Sequence, residues 1–316
     1  MSEDIFDLII IGGGPAGLTA GMYASRARLN CVLFEKMMPG GQVLFTDVIE
    51  NFPGFSKPIK GPDLIKEIVE QAKRSGLKIV NEGTLKISHT SQNGHNFIIE
   101  CDSKKRYKTL SLIIAAGAVW KKLGVQGEEN LIGKGVSYCA TCDGPFFKGR
   151  DVIVVGGGDR ALEESLFLSK FTNSVKLVHR RDQFRAVKEL QERVFENEKI
   201  TPIYDSVITE VGGRNSVEFV KVTNTKTKKV EIVSCGAIFI FIGIDPNSAT
   251  VKGLVNIDEK GFVIVDKEMK TSQEGIYACG DIIKKDLYQI VTAVGEGATA
   301  AFNAQRYIEG LKNKVF

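Results

Sequence analysis

Residues 7–17 read Asp-Leu-Ile-Ile-Ile-Gly-Gly-Gly-Pro-Ala-Gly, an apolar run that ends in a cluster of glycines. The pattern Gly12-x-Gly14-x-x-Gly17 lies between a predicted strand, residues 6–11, and a predicted helix, residues 18–28. Such a turn brings backbone N–H groups at a helix N-terminus close to a pyrophosphate. A second predicted strand ends at Glu35, where a carboxylate can accept hydrogen bonds from a ribose diol. The stretch therefore predicts a βαβ unit that binds a dinucleotide.

The same unit occurs a second time. Residues 151–158 align with residues 7–14 at an offset of 144 residues, and at that offset His179 takes the place of Glu35. Three arginines follow it, Arg180, Arg181 and Arg185. A guanidinium group can bind phosphate oxygens through two hydrogen bonds, which favours a nucleotide with a 2′-phosphate. The alternative is that these arginines form an ordinary solvated basic face.

Two cysteines stand between the two units, in the hexapeptide Cys139-Ala-Thr-Cys142-Asp143-Gly. Cysteines at this spacing can close and reopen a disulfide within one turn, which predicts redox chemistry. The alternatives are half of a zinc site or a structural disulfide. A zinc site needs a second pair of ligands, and the other four cysteines and the three histidines form none, so no metal site is predicted.

Composition excludes several classes of protein. The chain has 316 residues with a net charge of +4, which marks neither a nucleic-acid nor a membrane surface. It has no apolar run near the roughly 20 residues that span a bilayer. We expect the acidic start, residues 1–4, not to be a signal peptide, and the scattered cysteines indicate a reducing compartment. We therefore expect a cytoplasmic protein with no nucleic-acid or membrane partner.

The order of the segments predicts one unit inserted into another. The segment after residue 245 is too short to form a domain and must return to the first unit. We predict an α/β fold with two Rossmann-like (three-layer ββα) nucleotide-binding domains, the second inserted into the first. The expected boundaries are 1–119 and 246–316 for the first domain and 120–245 for the second.

Over essentially its full length the chain resembles the low-molecular-weight thioredoxin reductases of bacteria and archaea, within the pyridine nucleotide-disulphide oxidoreductases. The resemblance rests on both glycine motifs and on Glu35, Gly41-Gln42, Glu50-Asn51, the 139–144 hexapeptide, the arginine-rich residues 179–185, and Thr271 to Gly280-Asp281. It implies FAD on the first domain, NADPH on the second, a homodimer, and a thioredoxin or thioredoxin-like protein as the partner that is reduced.

The resemblance also implies site residues. The residues expected to bind FAD are Gly12, Gly14, Pro15, Ala16, Gly17, Glu35, Lys36, Gly41, Gln42, Asn51, Gly280, Asp281, Gln289 and Ile290. Those expected to bind NADPH are Gly156, Gly158, Asp159, Arg160, Ala161, His179, Arg180, Arg181 and Arg185. Cys142 is expected to face the flavin, Cys139 to attack the partner disulfide, and Asp143 to exchange a proton with the thiols.

Three residues depart from the family pattern. Arg160 replaces a small hydroxyl residue in the pyrophosphate turn, Tyr288 stands where an arginine often precedes Gln289, and Ala116 replaces a threonine. A long side chain at position 160 can obstruct the nucleotide or add a positive charge beside its phosphates. We expect the second, because the rest of the phosphate-binding pattern is intact.

Two other functions fit parts of this pattern. One is a flavoprotein oxidase that uses the same two cysteines to oxidise a small dithiol with oxygen. The other is a flavin-binding electron-transfer or sensor protein whose nicotinamide site is spoiled by Arg160. NADPH oxidation that depends on thioredoxin separates both from a reductase. Because one flavin face cannot hold a nicotinamide and a disulfide together, we also expect the inserted domain to swing about its two links.

Overall fold

The computed structural model describes residues 4–46, 49, 51–90 and 96–313. The chain divides into two compact units, the first formed by residues 1–119 and 245–316 and the second by residues 120–244. Glu50, part of the family pattern, lies outside the described residues.

The helices and strands follow in chain order. Residues 4–120 form β1 (Asp4–Ile11), α1 (Pro15–Arg26), β2 (Cys31–Glu35), α2 (Gly61–Arg74), β3 (Lys78–Asn81), β4 (Thr84–His89), β5 (Phe97–Cys101), β6 (Arg106–Ile114) and β7 (Ala118–Trp120). Residues 136–203 form β8 (Val136–Ser137), α3 (Ala140–Asp143), β9 (Asp151–Gly156), α4 (Asp159–Leu168), β10 (Ser174–Val178), α5 (Lys188–Phe195) and β11 (Ile200–Ile203). The rest of the chain forms β12 (Ser206–Gly212), β13 (Phe219–Asn224), β14 (Val230–Ser234), β15 (Ala237–Phe241), β16 (Ile244–Pro246), β17 (Ile276–Ala278) and α6 (Ile290–Asn313).

A seven-stranded sheet forms the centre of the first unit. Its strands run in the order β3-β2-β1-β6-β5-β4, and β17 also pairs with β6. The central strand β1 is parallel to both neighbours, and Leu8, Ile9 and Ile10 are fully buried in it. A continuous apolar run of this kind is typical of a parallel strand that is covered on both faces. Helices α1 and α6 pack together and contribute to the apolar cluster that contains Leu8 and Ile10.

The sequence pattern over residues 77–112 predicts a small antiparallel element laid over the first domain. Its antiparallel pairing is confirmed, but its strands belong to the main sheet and do not lie over it. Strands β4 and β5 instead extend the main sheet through the long strand β6. One edge of β6 pairs with β1, while its other edge pairs with β5 at residues 106–109 and with β17 at residues 112–114. The apolar run at residues 262–265 also predicts a strand. The structure has none there, since Val263 forms only isolated bridges, to Ile257 and Ile283.

The second unit repeats the parallel architecture on a smaller scale. Its main sheet has the order β11-β10-β9-β15-β8, and all of its pairings are parallel. A separate antiparallel sheet, β12-β13-β14, packs its buried valines into one apolar cluster with Ile153, Ile238 and Ile240. The carboxyl ends of β9 and β15 lie side by side at Gly156 and Phe241, which is where parallel α/β sheets bind ligands.

The two links between the units run next to each other. In the first unit the N–H of Asn247 donates to the carbonyl of Gly117, and in the second the N–H of Lys121 donates to the carbonyl of Gly243. Strands β7 and β16 form a two-stranded sheet at this place. Among the described residues, no helix has the length and apolar character that crossing a membrane requires.

Candidate active site

The first glycine turn is shaped by close contacts and by one open face. Gly12 has a φ of +105°, and a Cβ there would lie 2.3 Å from the carbonyl oxygen of Ala115. A Cβ on Gly17 would lie 1.9 Å from the carbonyl oxygen of Gly12. A Cβ on Gly14, by contrast, would meet nothing within 4 Å. The turn is therefore tight on the protein side and open at Gly14, where α1 begins with Pro15 and leaves its first N–H groups free of intrahelical partners.

Glu35 lies at the end of β2, beside this turn. Its Oε2 accepts the N–H of Gly13 at 2.7 Å and its Oε1 accepts the N–H of Met37 at 2.9 Å. These two hydrogen bonds fix the carboxylate next to the turn, and each oxygen retains a second lone pair for a ribose hydroxyl. Gly41 also approaches the turn, because a Cβ on it would lie 3.5 Å from the Cα of Gly14.

Residues far apart in sequence meet at the start of α6. The amide of Asn51 donates to Oε1 of Gln289 at 3.0 Å, across 238 residues. Gln42 donates through its Nε2 to the carbonyl of Ala118. The structure therefore places Asn51 and Gln289 in contact, whereas the sequence analysis predicted only that each of them binds FAD.

A charged cluster surrounds Asp281 and includes two residues that the sequence did not single out. Lys285 Nζ lies 3.2 Å from Asp281 Oδ1 and 2.9 Å from Glu296 Oε2, and it lies 5.4 Å from the ring centroid of Tyr288. Glu296 also accepts the N–H of Gly280 at 2.9 Å. Burial raises the pKa of the Glu296 carboxyl, and Lys285 opposes that rise. The spacing of four residues between Asp281 and Lys285 was the one available signal in the sequence.

These features fit a bound flavin dinucleotide. Gly14 leaves room for a pyrophosphate, and Asp281 Oδ1 is buried without a well-formed hydrogen bond from the described part of the chain, although Lys285 is within ion-pair distance. A buried carboxylate oxygen in that state is ready to accept a ligand hydroxyl.

The two cysteines of the hexapeptide form a disulfide. Cys139 precedes the one-turn helix α3 in an extended conformation, and Cys142 lies within that helix, so their Cα atoms are 5.3 Å apart. Both residues are half-buried, whereas Ala140 between them is fully buried and anchors the turn in the core. The disulfide is therefore both fixed in place and open to reaction.

Ser137 connects this turn to Asp143. The Ser137 hydroxyl lies 2.5 Å from Asp143 Oδ2 and 3.2 Å from the carbonyl of Cys139, and it accepts the N–H of Cys139 at 3.1 Å. Ser137 itself is 3% exposed. The structure thus holds the Asp143 carboxylate within the same hydrogen-bonded turn as the disulfide, and Ser137 is a residue that sequence reasoning missed.

The other four cysteines are buried thiols. Desolvation raises the pKa of Cys101 and of Cys235 to about 12, and it also raises the pKa of Cys31 and Cys279. A thiol reacts as its thiolate, so these four are poor nucleophiles at neutral pH. Across residues 4–46, 49, 51–90 and 96–313, no group of histidines, cysteines and carboxylates could hold a metal ion.

The second glycine turn lies against the arginine-rich loop that follows β10. The N–H of Arg185 donates to the carbonyl of Gly157 at 2.7 Å, and Asp159 Oδ1 accepts the N–H of Val187 at 2.8 Å. The side chains of Arg180, Arg181 and Arg185 are exposed. The turn itself has room for a ligand, since a Cβ on Gly158 would meet nothing within 4 Å.

His179 is packed against this turn. It is 5% exposed, and a Cβ on Gly157 would lie 2.2 Å from its Nδ1. Its Nε2 is buried and has no hydrogen-bond partner among the described residues. Desolvation lowers the pKa of His179, and Arg185 and Arg181 lower it further, so the ring is neutral at pH 7. The ring packs against Gly157 of the turn, and its centroid lies 5.6 Å from that of Phe184. The sequence alone did not indicate these contacts.

Arg160, in the first turn of α4, lies over two aromatic rings. Its guanidinium carbon is 4.5 Å from the ring centroid of Trp120 and 5.6 Å from that of Phe241. Its Nε is 3.9 Å from Glu164 Oε1. The side chain therefore lies along the surface of the second unit and remains 35% exposed.

Comparison with known proteins gives a consistent result over the whole chain. The family profile for pyridine nucleotide-disulphide oxidoreductases matches residues 6–297. A thioredoxin reductase from Listeria innocua is 43% identical over 314 residues, which cover 99% of this chain and 97% of that protein. One from Bacillus subtilis is 43% identical over 317 residues, covering 100% and 99%.

Solved structures of thioredoxin reductases are also similar to this chain. The thioredoxin reductase from Streptococcus pyogenes has a TM-score of 0.90 at 42% identity, covering 98% of this chain and 100% of that one. The thioredoxin reductase from Giardia duodenalis also has a TM-score of 0.90, at 37% identity, with coverages of 97% and 100%.

Proposed function

The chain belongs to the pyridine nucleotide-disulphide oxidoreductase family, and from that premise we propose that it reduces a thioredoxin-type protein with electrons from NADPH. The resemblance, the α/β fold class with two Rossmann-like units and the assignment as a thioredoxin reductase, each predicted from the sequence, are confirmed. Flavin and pyridine nucleotide are the cofactors that the family implies. Their assignment as FAD on the first unit and NADPH on the second rests on Glu35 in one copy and the arginines in the other.

The observation that carries the proposal is the half-buried Cys139–Cys142 disulfide, whose turn is hydrogen-bonded through Ser137 to the Asp143 carboxylate. FAD, when bound, supplies the two-electron carrier between nicotinamide and disulfide. The residues that would hold it are the open turn at Gly14, the Glu35 carboxylate, Asp281 and the Asn51–Gln289 pair. Gly14, Glu35 and Asn51 precede the inserted unit in the sequence, whereas Asp281 and Gln289 follow it.

The disulfide passes the electrons on in balanced steps. Two electrons and two protons convert Cys139–Cys142 to a dithiol. The Cys139 thiolate attacks one sulfur of the partner's disulfide, which forms a mixed disulfide and releases the other partner sulfur as a thiolate. Cys142 then attacks Cys139 Sγ, so that the partner leaves as a dithiol with the two protons and the Cys139–Cys142 bond forms again.

Asp143 is the proposed proton carrier for these steps, because its carboxylate follows Cys142 directly. The Ser137 hydroxyl donates to Asp143 Oδ2 and thereby orients the carboxylate toward one position. In this proposal, the carboxylate exchanges a proton with the Cys139 or Cys142 thiol during turnover.

The test uses the Cys139→Ser and Cys142→Ser variants. Neither should reduce thioredoxin with NADPH, whereas the wild type should do so without rapid oxygen consumption. In the reduced proteins, a thiolate–flavin charge-transfer band should persist in Cys139→Ser and be lost in Cys142→Ser. The reverse pattern would exchange the roles of the two cysteines, and oxygen consumption with a small dithiol and no nucleotide would favour an oxidase instead.

We further infer a homodimer that acts in the cytoplasm and has neither nucleic acid nor a membrane as partner. The net charge of +4 on 316 residues supports the last two points. Sedimentation equilibrium at micromolar concentration checks the dimer, and a mass of one chain would contradict it.

A further inference from the structure

Arg160 lies at the N-terminal end of α4, where an anionic ligand would be favoured. Strand β9 ends at Gly156, and α4 begins at Asp159, so Arg160 is in the first turn of a ten-residue helix. The first backbone N–H groups of such a helix have no intrahelical partners and favour an anion. The space beside Gly158 is open. A guanidinium group here can add a bidentate contact to a pyrophosphate that the backbone already favours.

The contacts of Arg160 place its charge at one position. Cations within about 6 Å of an aromatic centroid are attracted to the ring face, and Arg160 meets this condition at both Trp120 (4.5 Å) and Phe241 (5.6 Å). Phe241 is paired with Gly156 at the carboxyl ends of β15 and β9, the edge where the nucleotide is expected. The Nε of Arg160 also lies 3.9 Å from Glu164 Oε1, one turn further along α4.

The ring of Trp120 is also stacked on a second ring. It is nearly parallel to Tyr138, with an interplanar angle of 7° and centroids 6.5 Å apart. Tyr138 directly precedes Cys139, and its hydroxyl donates to the buried carboxylate of Glu128 at 2.7 Å. Trp120 is the first residue of the second unit after the link. One stack therefore connects the nucleotide turn, the link and the redox turn within the second unit.

We propose that Arg160 binds the pyrophosphate of the pyridine nucleotide in place of the family's small hydroxyl residue, and that Trp120 positions its guanidinium for this contact. This inference rests on the nucleotide site proposed above for the second unit. Contact with the phosphates changes the charge that Arg160 places over the indole ring. Occupancy of the nucleotide site thereby reaches the residue that joins the link to the redox turn.

The chain contains a single tryptophan, so the fluorescence of Trp120 reports on this contact directly. The flavin-loaded protein is titrated with 2′-phospho-ADP-ribose, which has the whole pyrophosphate but no nicotinamide ring to quench the indole. Affinity is measured separately by calorimetry with NADP⁺. The variants are Arg160→Ser, Arg160→Lys and Trp120→Leu. Arg214→Ser, an exposed arginine on the turn between β12 and β13, removes the same charge from the same unit as a control.

In the wild type and in Arg214→Ser, the ligand should change Trp120 emission with the dissociation constant found by calorimetry. Arg160→Ser should lose that change and bind NADP⁺ about tenfold more weakly, the scale of one charge-assisted contact at a partly exposed site. Arg160→Lys should recover part of the affinity. Trp120→Leu should bind a few-fold more weakly although it retains the arginine.

Three results would overturn the inference, and they can be distinguished from one another. If NADP⁺ binds the wild type but Arg160→Ser and Trp120→Leu keep its affinity, Arg160 is a surface residue and the proposed reductase activity stands. If Arg160→Ser binds more tightly, the side chain obstructs the site. If the wild type binds no NADP⁺ by calorimetry, the proposed donor fails as well.

Discussion

Ser137 has one hydroxyl proton and two acceptors within reach, Asp143 Oδ2 at 2.5 Å and the Cys139 carbonyl at 3.2 Å. The shorter distance favours donation to the carboxylate, since charge-assisted hydrogen bonds are shorter and stronger than neutral ones. If Asp143 accepts a proton, it can become the donor and Ser137 can turn to the Cys139 carbonyl. Ser137 is therefore a positioning residue whose hydrogen bond depends on the proton that Asp143 holds.

Replacing Ser137 with alanine should lower the rate of partner reduction by about three- to tenfold, on the scale of one lost hydrogen bond of ~1 kcal/mol. The carboxylate loses a donor that favours its ionised form, so the pH profile of kcat should move to higher pH. Stopped-flow and steady-state rates between pH 5 and 9 measure both effects. Ser234→Ala, an exposed serine, is the control. A lower rate with an unchanged pH profile would limit Ser137 to a purely structural role.

The buried cysteines should stay silent toward thiol reagents. In the native protein at pH 7, reduction should expose two fast-reacting thiols, Cys139 and Cys142, because desolvation raises the pKa of the other four and keeps them protonated. Reactivity of Cys101 and Cys235 should rise only as the pH approaches their pKa of about 12. Titration with a chromogenic disulfide counts the thiols, with reduced, denatured protein giving six. More than two fast thiols at pH 7 would contradict this.

At the scale of elements, an ion-pair cluster of Asp281, Lys285 and Glu296 links the segment before α6 to the first half of that helix. Lys285 has a side chain only 10% exposed and lies between Asp281 and Glu296, whose side chains are 30% and 15% exposed. Removing the lysine leaves two carboxylates together in a poorly solvated place, which is far more costly than losing a surface ion pair. The position of Asp281, and with it the proposed flavin site, should therefore depend on this lysine.

Lys285→Met should therefore lower the free energy of unfolding by about 3 kcal/mol and release flavin more readily. The double variant Lys285→Met/Glu296→Gln should recover part of both, since it removes one of the two carboxylates. Lys284→Met, an exposed neighbour, is the matched control. Denaturant unfolding and flavin fluorescence measure the effects. Equal stability and flavin retention in the two single variants would show that the cluster has no such role.

We propose that the arginine-rich loop after β10 decides whether NADPH or NADH is preferred. A charge-assisted hydrogen bond to a phosphate contributes about 1.5–3 kcal/mol, so two should give NADPH at least a hundredfold advantage over NADH in kcat/KM. Arg180→Ala/Arg181→Ala should remove most of that advantage and leave the value for NADH nearly unchanged. Arg193→Ala, an exposed residue of α5, should retain it. Equal use of both nucleotides by the wild type would refute the preference.

At the scale of the whole molecule, two links join units that must act in sequence if one flavin face serves both nicotinamide and disulfide. Gly243, at the second link, has a φ of +118°, a backbone conformation that residues with a side chain rarely adopt. Gly76, in the turn after α2, has a φ of +99° with open space around it and offers a comparison away from the links.

Gly243→Ala and Gly76→Ala should each destabilise the protein by about 1–2 kcal/mol, because both force a Cβ into a strained backbone. Only Gly243→Ala should lower kcat, by about tenfold, while calorimetric affinity for NADP⁺ stays the same. The expected loss of kcat comes from a slower swing of the inserted unit between the two half-reactions. Motions of this kind typically take microseconds to milliseconds. If both variants keep full turnover, or if both lose it equally, the second link is not where that motion occurs.

The sequence determined the repeated parts of this protein. The two glycine turns, the acidic end of β2, the arginines after β10 and the paired cysteines are local patterns. Each works through backbone geometry or charge over a few residues, so spacing alone reveals it. The fold class followed from the same repeat, and the insertion of one unit into the other followed from the shortness of the segment after residue 245. By contrast, β4 and β5 were misplaced, because strand pairing is decided by which edge of β6 is free, and no local pattern records that.

Tertiary structure decided what those parts touch. Asn51 contacts Gln289 across 238 residues of sequence. Lys285 contacts Glu296, 11 residues further along the chain, and Ser137 donates a hydrogen bond to Asp143 across the turn that holds the disulfide. His179 is packed against the glycine turn, and Arg160 lies over Trp120 and Phe241. These contacts depend on burial and on the direction of side chains, which arise only when distant segments pack. The sequence could therefore name Arg160 as unusual, while only the folded chain gave its guanidinium a place.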